Sequence, residues 1–436
     1  MARIRPFHGL RYDSSRAGEF SDLLAPPYDV VDGAARAELS ARSPHNCIEV
    51  ILPQAPAGSE DGDAKYDEGA RRFREMIKAA LVRDPEPGYY VYHQRFESEG
   101  RRFVRKGVIA LVELTRFGEG PVLAHERTMS GPKADRLKLM RACDAHLELV
   151  FGMFSDPEKR WEQAVRDELT TPVLDCDFDG VHHILFRVAD VRACAALAEA
   201  IAPSSIYIAD GHHRYETMCS FRDELEAAGR TEEARWGMMY LSNLDDEGLV
   251  VLPTHRIVYG LDSLSLADIL KSVSTWFDVE ERDLPPNVVE LRAVLSDAGV
   301  DGAAFGLAVP GSKRLHVLRL RADYDPESAG LGAIAPALQR LDVALLHELV
   351  LERALGIDKE AQVAKTNLRY FKSSEGAMAL AREGGEGVQL VCFMNATPVQ
   401  DVVNVCDSGE VMPQKSTFFY PKIPTGLVFH SLRKPD

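Results

Sequence analysis

The sequence predicts an α+β protein, and three observations carry that reading. Two β-rich runs, Tyr89 to Glu97 and Arg102 to Leu114, flank the short turn Ser98-Glu99-Gly100, which is the pattern of a hairpin. The apolar run Ser205 to Ala209 reads as a strand and leads straight into a helical run ending near Gly229. Helical spacing recurs over Ala64 to Val82, Pro132 to Glu148 and Ile334 to Leu355.

Composition bounds the function classes. The chain has 436 residues, 45% hydrophobic and 27% charged, which is ordinary globular composition with material for a large core. Acidic residues number 67 against 51 basic ones, a net charge of −16. That balance argues against a partner coated in phosphates, since nucleic acid wants a basic surface. It leaves room for one basic pocket that takes a small anion. No apolar run approaches the roughly 18 residues of a spanning helix. The start, Met1 to Phe7, lacks the apolar stretch of a secretory signal. Seven scattered cysteines without a C-x-x-C pair indicate neither a disulfide framework nor a zinc ribbon. A reduced cytoplasm is expected, with no membrane or nucleic-acid partner; the oligomeric state stays open.

Taken in order, Ala25-Pro26-Pro27-Tyr28-Asp29-Val30 is a stiff turn, because each proline disfavours helix for itself or its neighbour. Gly58 to Asp63 reads as a solvated loop, and the helix that follows has a charged outer face. After the hairpin, a loop with Gly118 and Gly120 leads to Val122-Leu123-Ala124-His125-Glu126-Arg127-Thr128. The next helix, Pro132 to Glu148, carries proline in its first turn. Met238 to Ser242 and Leu249 to Pro253 read as a second hairpin, and Ser263 to Leu320 alternates helix and strand. Ile334 to Leu355 reads as one long buried helix, Val388 to Met394 as a strand, and Pro413 to Gly426 as a loop. The expected organisation is an N-terminal segment 1–87 packed on a core 88–260, an α/β insertion or second lobe 261–330, and a C-terminal lobe 331–436 that contributes a phosphate-binding loop.

Chemistry concentrates in four places. Asp210-Gly211-His212-His213-Arg214 sits where a strand turns into a helix. Glycine permits close backbone approach, the helix start offers N–H groups to an anion, and the histidines and arginine add donors and charge. An acid beside such a site suggests a Mg²⁺-phosphate, with Asp210 as metal ligand; an N-cap role for Asp210 is the structural alternative. His125-Glu126-Arg127-Thr128 offers Glu126 as a general base for a hydroxyl proton, or as a surface carboxylate paired with Arg127 or Lys133. Lys133 is also a candidate substrate ligand. Arg256, after Leu252-Pro253-Thr254-His255, could clamp a phosphate or carboxylate, or serve in a structural ion pair. Lys415-Ser416-Thr417 offers one cation and two hydroxyls to a phosphate, or Lys415 is a surface lysine.

Other templates fail. No G-x-x-x-x-G-K-[ST], H-E-x-x-H or G-x-S-x-G occurs, and Thr254-His255-Arg256 lacks the aspartate of a protein-kinase catalytic loop. Gly330 to Ala335 matches a loose dinucleotide pattern but does not follow a strand. Asp175 to Gly180 imitates a calcium loop whose twelfth position is Phe186.

The runs Arg3-Ile4-Arg5-Pro6-Phe7, Ala25 to Val30 and Asp210 to Tyr215 resemble domain-of-unknown-function family 1015, over nearly the whole chain. The Asp-Gly-His-His-Arg turn is also similar to that of the ParB/sulfiredoxin-like fold, above all the free L-serine kinases. That second resemblance implies a ParB/sulfiredoxin-like core with additional α/β lobes. It implies a phosphotransferase that phosphorylates free L-serine or a similar hydroxylated metabolite. Glu126 would be the base. Asp210, His212, His213 and Arg214 would be catalytic. Asp210 to Arg214 would hold phosphate and Mg²⁺, with Lys415, Ser416 and Thr417 binding phosphate or substrate. His125, Arg127, Lys133 and Arg256 are the remaining candidates on the substrate side. The gap from Glu126 to Asp210 is wider than in those kinases, so ATP, ADP and pyrophosphate all stand as donors. A non-catalytic nucleotide-binding regulator of ParB-like type is the alternative.

Overall fold

The computed structural model describes residues 1–59, 62–128, 130–385 and 387–433. Glu60 and Asp61 of the expected solvated loop therefore lie outside the described residues. Helices and sheets are mixed throughout, as expected of an α+β protein. The chain forms two compact units, one from Met1–Ala124, Thr128–Val250 and Pro421–Asp436, the other from His125–Arg127 and Val251–Tyr420.

The first unit is built on a mixed sheet. Its order runs Val122–Leu123, Ile206–Asp210, Val150–Phe154, Trp236–Asn243, Arg101–Glu113, Tyr89–Ser98, Val181–Val188 and Pro172–Phe178, with Ile4–Arg5 added against Arg101–Glu113. The expected hairpin is present: Ser98 pairs with Arg101 across Glu99 and Gly100. Both turn residues have positive φ, 56° and 73°, which matches the twist of the strands they join. The helix Ala64–Ala79 packs on Ser130–Cys143, which packs on His212–Ala227. The core behind the sheet gathers Val108, Ala110, Val150, Ile206, Ile208, Tyr215, Met218 and Leu241.

The second unit holds an antiparallel six-stranded sheet, ordered Phe277–Asp283, Arg314–Leu320, Ala304–Ala308, Val388–Met394, His255–Tyr259 and Leu368–Phe371. Leu291 and Leu295 of the helix Val288–Ala298, and Ala377, Met378 and Ala381 of the helix Ser374–Glu383, join Val317, Val391 and Phe393 in its core.

Three sequence expectations are corrected. The helix from Pro132 stops at Cys143 rather than Glu148, because Asp144 takes a left-handed φ of 51° and Ala145–His146 pairs with His430–Ser431. The second hairpin does not form. Every residue of Trp236–Asn243 is buried, so this strand takes neighbours on both sides, while Val250–Leu252 joins a ribbon with Phe418–Tyr420. The long helix begins only at Asp342, and residues 335–341 instead form turns in which the Leu338 N–H donates to the Ala335 carbonyl and the Leu341 N–H to the Leu338 carbonyl. After Leu345 it widens into a π-helix, Leu346–Ala354.

Candidate functional site

In the first unit the strand Ile206–Asp210 delivers Asp210 to the start of the helix His212–Ala227. The N-cap is Gly211, not Asp210, and its φ of 93° lies in the left-handed region. A Cβ there would sit 3.0 Å from the Arg214 guanidinium, so glycine meets both a backbone and a space requirement. Arg214 folds back, donating from Nη2 to Asp210 Oδ2 at 2.6 Å and from Nη1 to the Leu149 carbonyl. Lys422 Nζ donates to the other oxygen, Asp210 Oδ1. Burial opposes ionisation of Asp210, but Lys422 and Arg214 outweigh it and hold the carboxyl well below its usual range. Burial pulls His212 down to about 3 against the pull of Asp210, so its imidazole is neutral at pH 7.

Lys422 was not among the expected site residues, and neither was the pair that holds it. Arg105 is fully buried, with its guanidinium 4.8 Å over the Phe151 ring. It donates to Gln94 Oε1 from Nε at 3.0 Å and to the Pro421 carbonyl from Nη2. Gln94 Nε2 donates to the Lys422 carbonyl at 3.1 Å. Nothing in the sequence singles them out, since Gln94 stands between His93 and Arg95 and Arg105 beside Lys106. Behind Arg214, the Tyr28 ring lies 4.1 Å under Arg136, whose Nη1 donates to Glu148 Oε2 at 3.4 Å. The Tyr28 N–H donates to Glu148 Oε1, also at 3.4 Å. Glu148 and Asp29 both act on Arg214. The Pro-Pro-Tyr-Asp turn thus adds the Asp29 carboxylate to the negative charge that acts on Arg214. Lys133 is held by Glu216 Oε2 at 3.1 Å, which also accepts from Thr128.

In the second unit Glu126 bridges to Met412 in parallel, and the Met412 N–H donates to the His125 carbonyl at 2.8 Å. The Lys415 N–H reaches Glu126 Oε1 at 3.5 Å. His125 is buried, with Nε2 3.0 Å from Thr417 Oγ1. Lys415 has a φ of 57°, a left-handed conformation uncommon for a residue with a Cβ. The Ser416 hydroxyl donates to the Pro413 carbonyl at 2.5 Å, so it braces the turn. Arg256 is fully buried and makes no ion pair among the described residues; it donates to the carbonyls of Thr254 and Lys415 and to His347 Nε2. Burial lowers it to about 10, which leaves it charged at neutral pH. Arg127 is exposed. The expected residues thus form two clusters, one in each unit.

The metal expectation does not fit. Both oxygens of Asp210 are taken by cationic side chains, whereas Mg²⁺ needs hard oxygen ligands free of competing charge. Among the described residues no group of three or more His, Cys, Asp or Glu side chains could hold a metal ion. Asp210 is read instead as the anchor of Lys422 and Arg214. Among the described residues no helix is long and apolar enough to cross a membrane, and all seven cysteines are free thiols.

Comparison with curated proteins finds no match. Among solved structures the chain is similar to a conserved hypothetical protein from Pyrococcus furiosus, at 15% identity and a TM-score of 0.34, covering 70% of this chain and 90% of that one. It is similar to a free serine kinase in complex with AMP, at 14% identity and a TM-score of 0.32, covering 69% and 83%. It is also similar to SbnI with a C-terminal truncation from Staphylococcus aureus, at 10% identity and a TM-score of 0.35, covering 75% and 90%. The family described as Protein of unknown function (DUF1015) matches residues 4–344, and the chain belongs to that family.

Proposed function

We propose that this protein is a cytoplasmic small-molecule phosphotransferase that moves a phosphoryl group from ATP, ADP or pyrophosphate to the hydroxyl of free L-serine or a similar metabolite. The observation that carries the reading is the helix start at Gly211, with Arg214 and Lys422 gathered on one carboxylate. Oriented N–H groups and fixed cations in a partly buried place favour a phosphoryl group at little reorganisation cost. Phosphoryl transfer asks for little else from a protein beyond positioning and charge. The first unit holds the phosphates at Gly211, His212, His213 and Arg214. Glu126 is the base assigned to the hydroxyl proton as the oxygen attacks phosphorus, and the rest of the donor leaves. Lys415 and Thr417 carry charge and a hydroxyl toward the acceptor, and Arg256 positions the loop through the Lys415 carbonyl.

The test incubates the full chain with each donor in Mg²⁺ buffer and a pool of hydroxylated amino acids, and reads products by mass spectrometry. A phosphorylated product that Glu126→Gln reduces by about 10²–10⁴-fold, with donor affinity retained, supports the reading. Wild-type turnover in Glu126→Gln, or no product with any donor, refutes it.

A further inference from the structure

The second unit contains a cavity of about 250 Å³, far above the roughly 10–15 Å³ that one water needs. One wall is apolar, formed by Ile334, Leu338, Val363 and Met412. The lining also includes His347 and Glu348, adjacent residues of the π-helix Leu346–Ala354. Such helices are rare and recur at functional sites. Here the wide turn is closed by a bond from the Leu355 N–H to the Val350 carbonyl.

The polar lining is rigid. Arg256 can only donate, so His347 Nε2 accepts and its Nδ1–H donates to Gln362 Oε1 at 2.7 Å. Gln362 Nε2 in turn donates to the Ile357 carbonyl at 2.8 Å. The His347 ring lies parallel to Tyr370, 19° between planes, and the Arg256 guanidinium stands 5.4 Å from the same ring. These side chains hold one another in place, leaving a preformed wall.

The charges decide what fits. Lys359 and Glu348 pair at 3.0 Å. Arg127, at the cavity lining, makes no ion pair among the described residues, and the charge of Arg256 lies buried just behind Tyr370. Glu126 also acts on Tyr370. Three cations against two carboxylates leave one positive charge in excess.

We infer that this cavity is a binding site for a small organic monoanion with an apolar body, its carboxylate toward Arg127 and its body against Val363 and Met412. The inference stands on the second unit alone and does not require phosphoryl transfer.

Titration calorimetry on the full chain tests it with three probes: 3-phenyllactate, lactate, and the uncharged 3-phenyl-1,2-propanediol. The expected result is 3-phenyllactate binding at least tenfold more tightly than either of the others. Val363→Trp, which fills the cavity from an exposed position, and Arg127→Glu, at an exposed residue, should each weaken it at least tenfold. Equal binding of lactate and 3-phenyllactate, no binding of any probe, or binding unchanged in both variants overturns the inference. Binding of 3-phenyllactate by a chain that forms no phosphorylated product would refute the phosphotransferase reading and leave this one standing.

Discussion

Replacing Lys422 by Met keeps the aliphatic stem and removes the charge that faces Asp210 Oδ1. Opposite charges in contact attract by roughly 5 kcal/mol at an effective dielectric of about 20, and desolvation of the ammonium offsets much of that. The carboxylate keeps its bond from Arg214 at 2.6 Å, so it is not orphaned. The expected loss is about 2 kcal/mol at pH 7, in the range of one hydrogen bond to a charged group. Asp210 is held below its unfolded value, so its contribution is full above about pH 4 and is lost as pH falls toward the folded value. Removing Lys422 raises the folded value, so the gap between wild type and variant narrows only as pH falls through the variant's folded value. The assay is urea unfolding by tryptophan fluorescence in a Trp276→Phe background. There the remaining tryptophans, Trp161 and Trp236, are both buried in the first unit. A loss under about 0.5 kcal/mol at pH 7 would sink the argument that charge at Asp210 holds this corner together.

Gly211→Ala forces a Cβ into a φ of 93° and to 3.0 Å from the Arg214 guanidinium; it should cost about 1–3 kcal/mol and weaken donor binding, read by thermal melts and calorimetry. A Tm within a degree of wild type refutes that requirement. Asp342 accepts from the Ala304 N–H and from Asn395 Nδ2, both at 3.3 Å, yet burial raises it to about 7. Its folded value exceeds its unfolded one, so its contribution is full below about pH 4 and is lost as pH rises through 7. The second unit should therefore lose about 4 kcal/mol across that window, and Asp342→Asn should flatten the loss. Parallel pH profiles of the two proteins would contradict this.

Elements whose information lies in neighbouring residues were legible from the chain. The strand Val388–Met394 has the expected bounds, and the strand-to-helix turn at Asp210 forms where expected. The hairpin turn is set by Glu99 and Gly100, which the strand twist requires at positive φ. The Pro-Pro-Tyr-Asp turn was visible as a stiff turn but not as a source of charge acting on Arg214. That role arises only when Arg136 and Glu148 are folded against it.

The sequence by itself determined the mixture of helices and strands and the residue types at the Asp210 turn, because periodicity and turn chemistry act over a few residues. Tertiary structure decided the rest. Lys422 meets Asp210 across 212 positions of chain, and Arg105 reaches Pro421 across 316. No local pattern marks either partner; burying a charge selects whichever distant group can satisfy it. The same burial placed Trp236–Asn243 between two strands instead of in a hairpin. It also turned the expected metal ligand at Asp210 into an anchor for two cations.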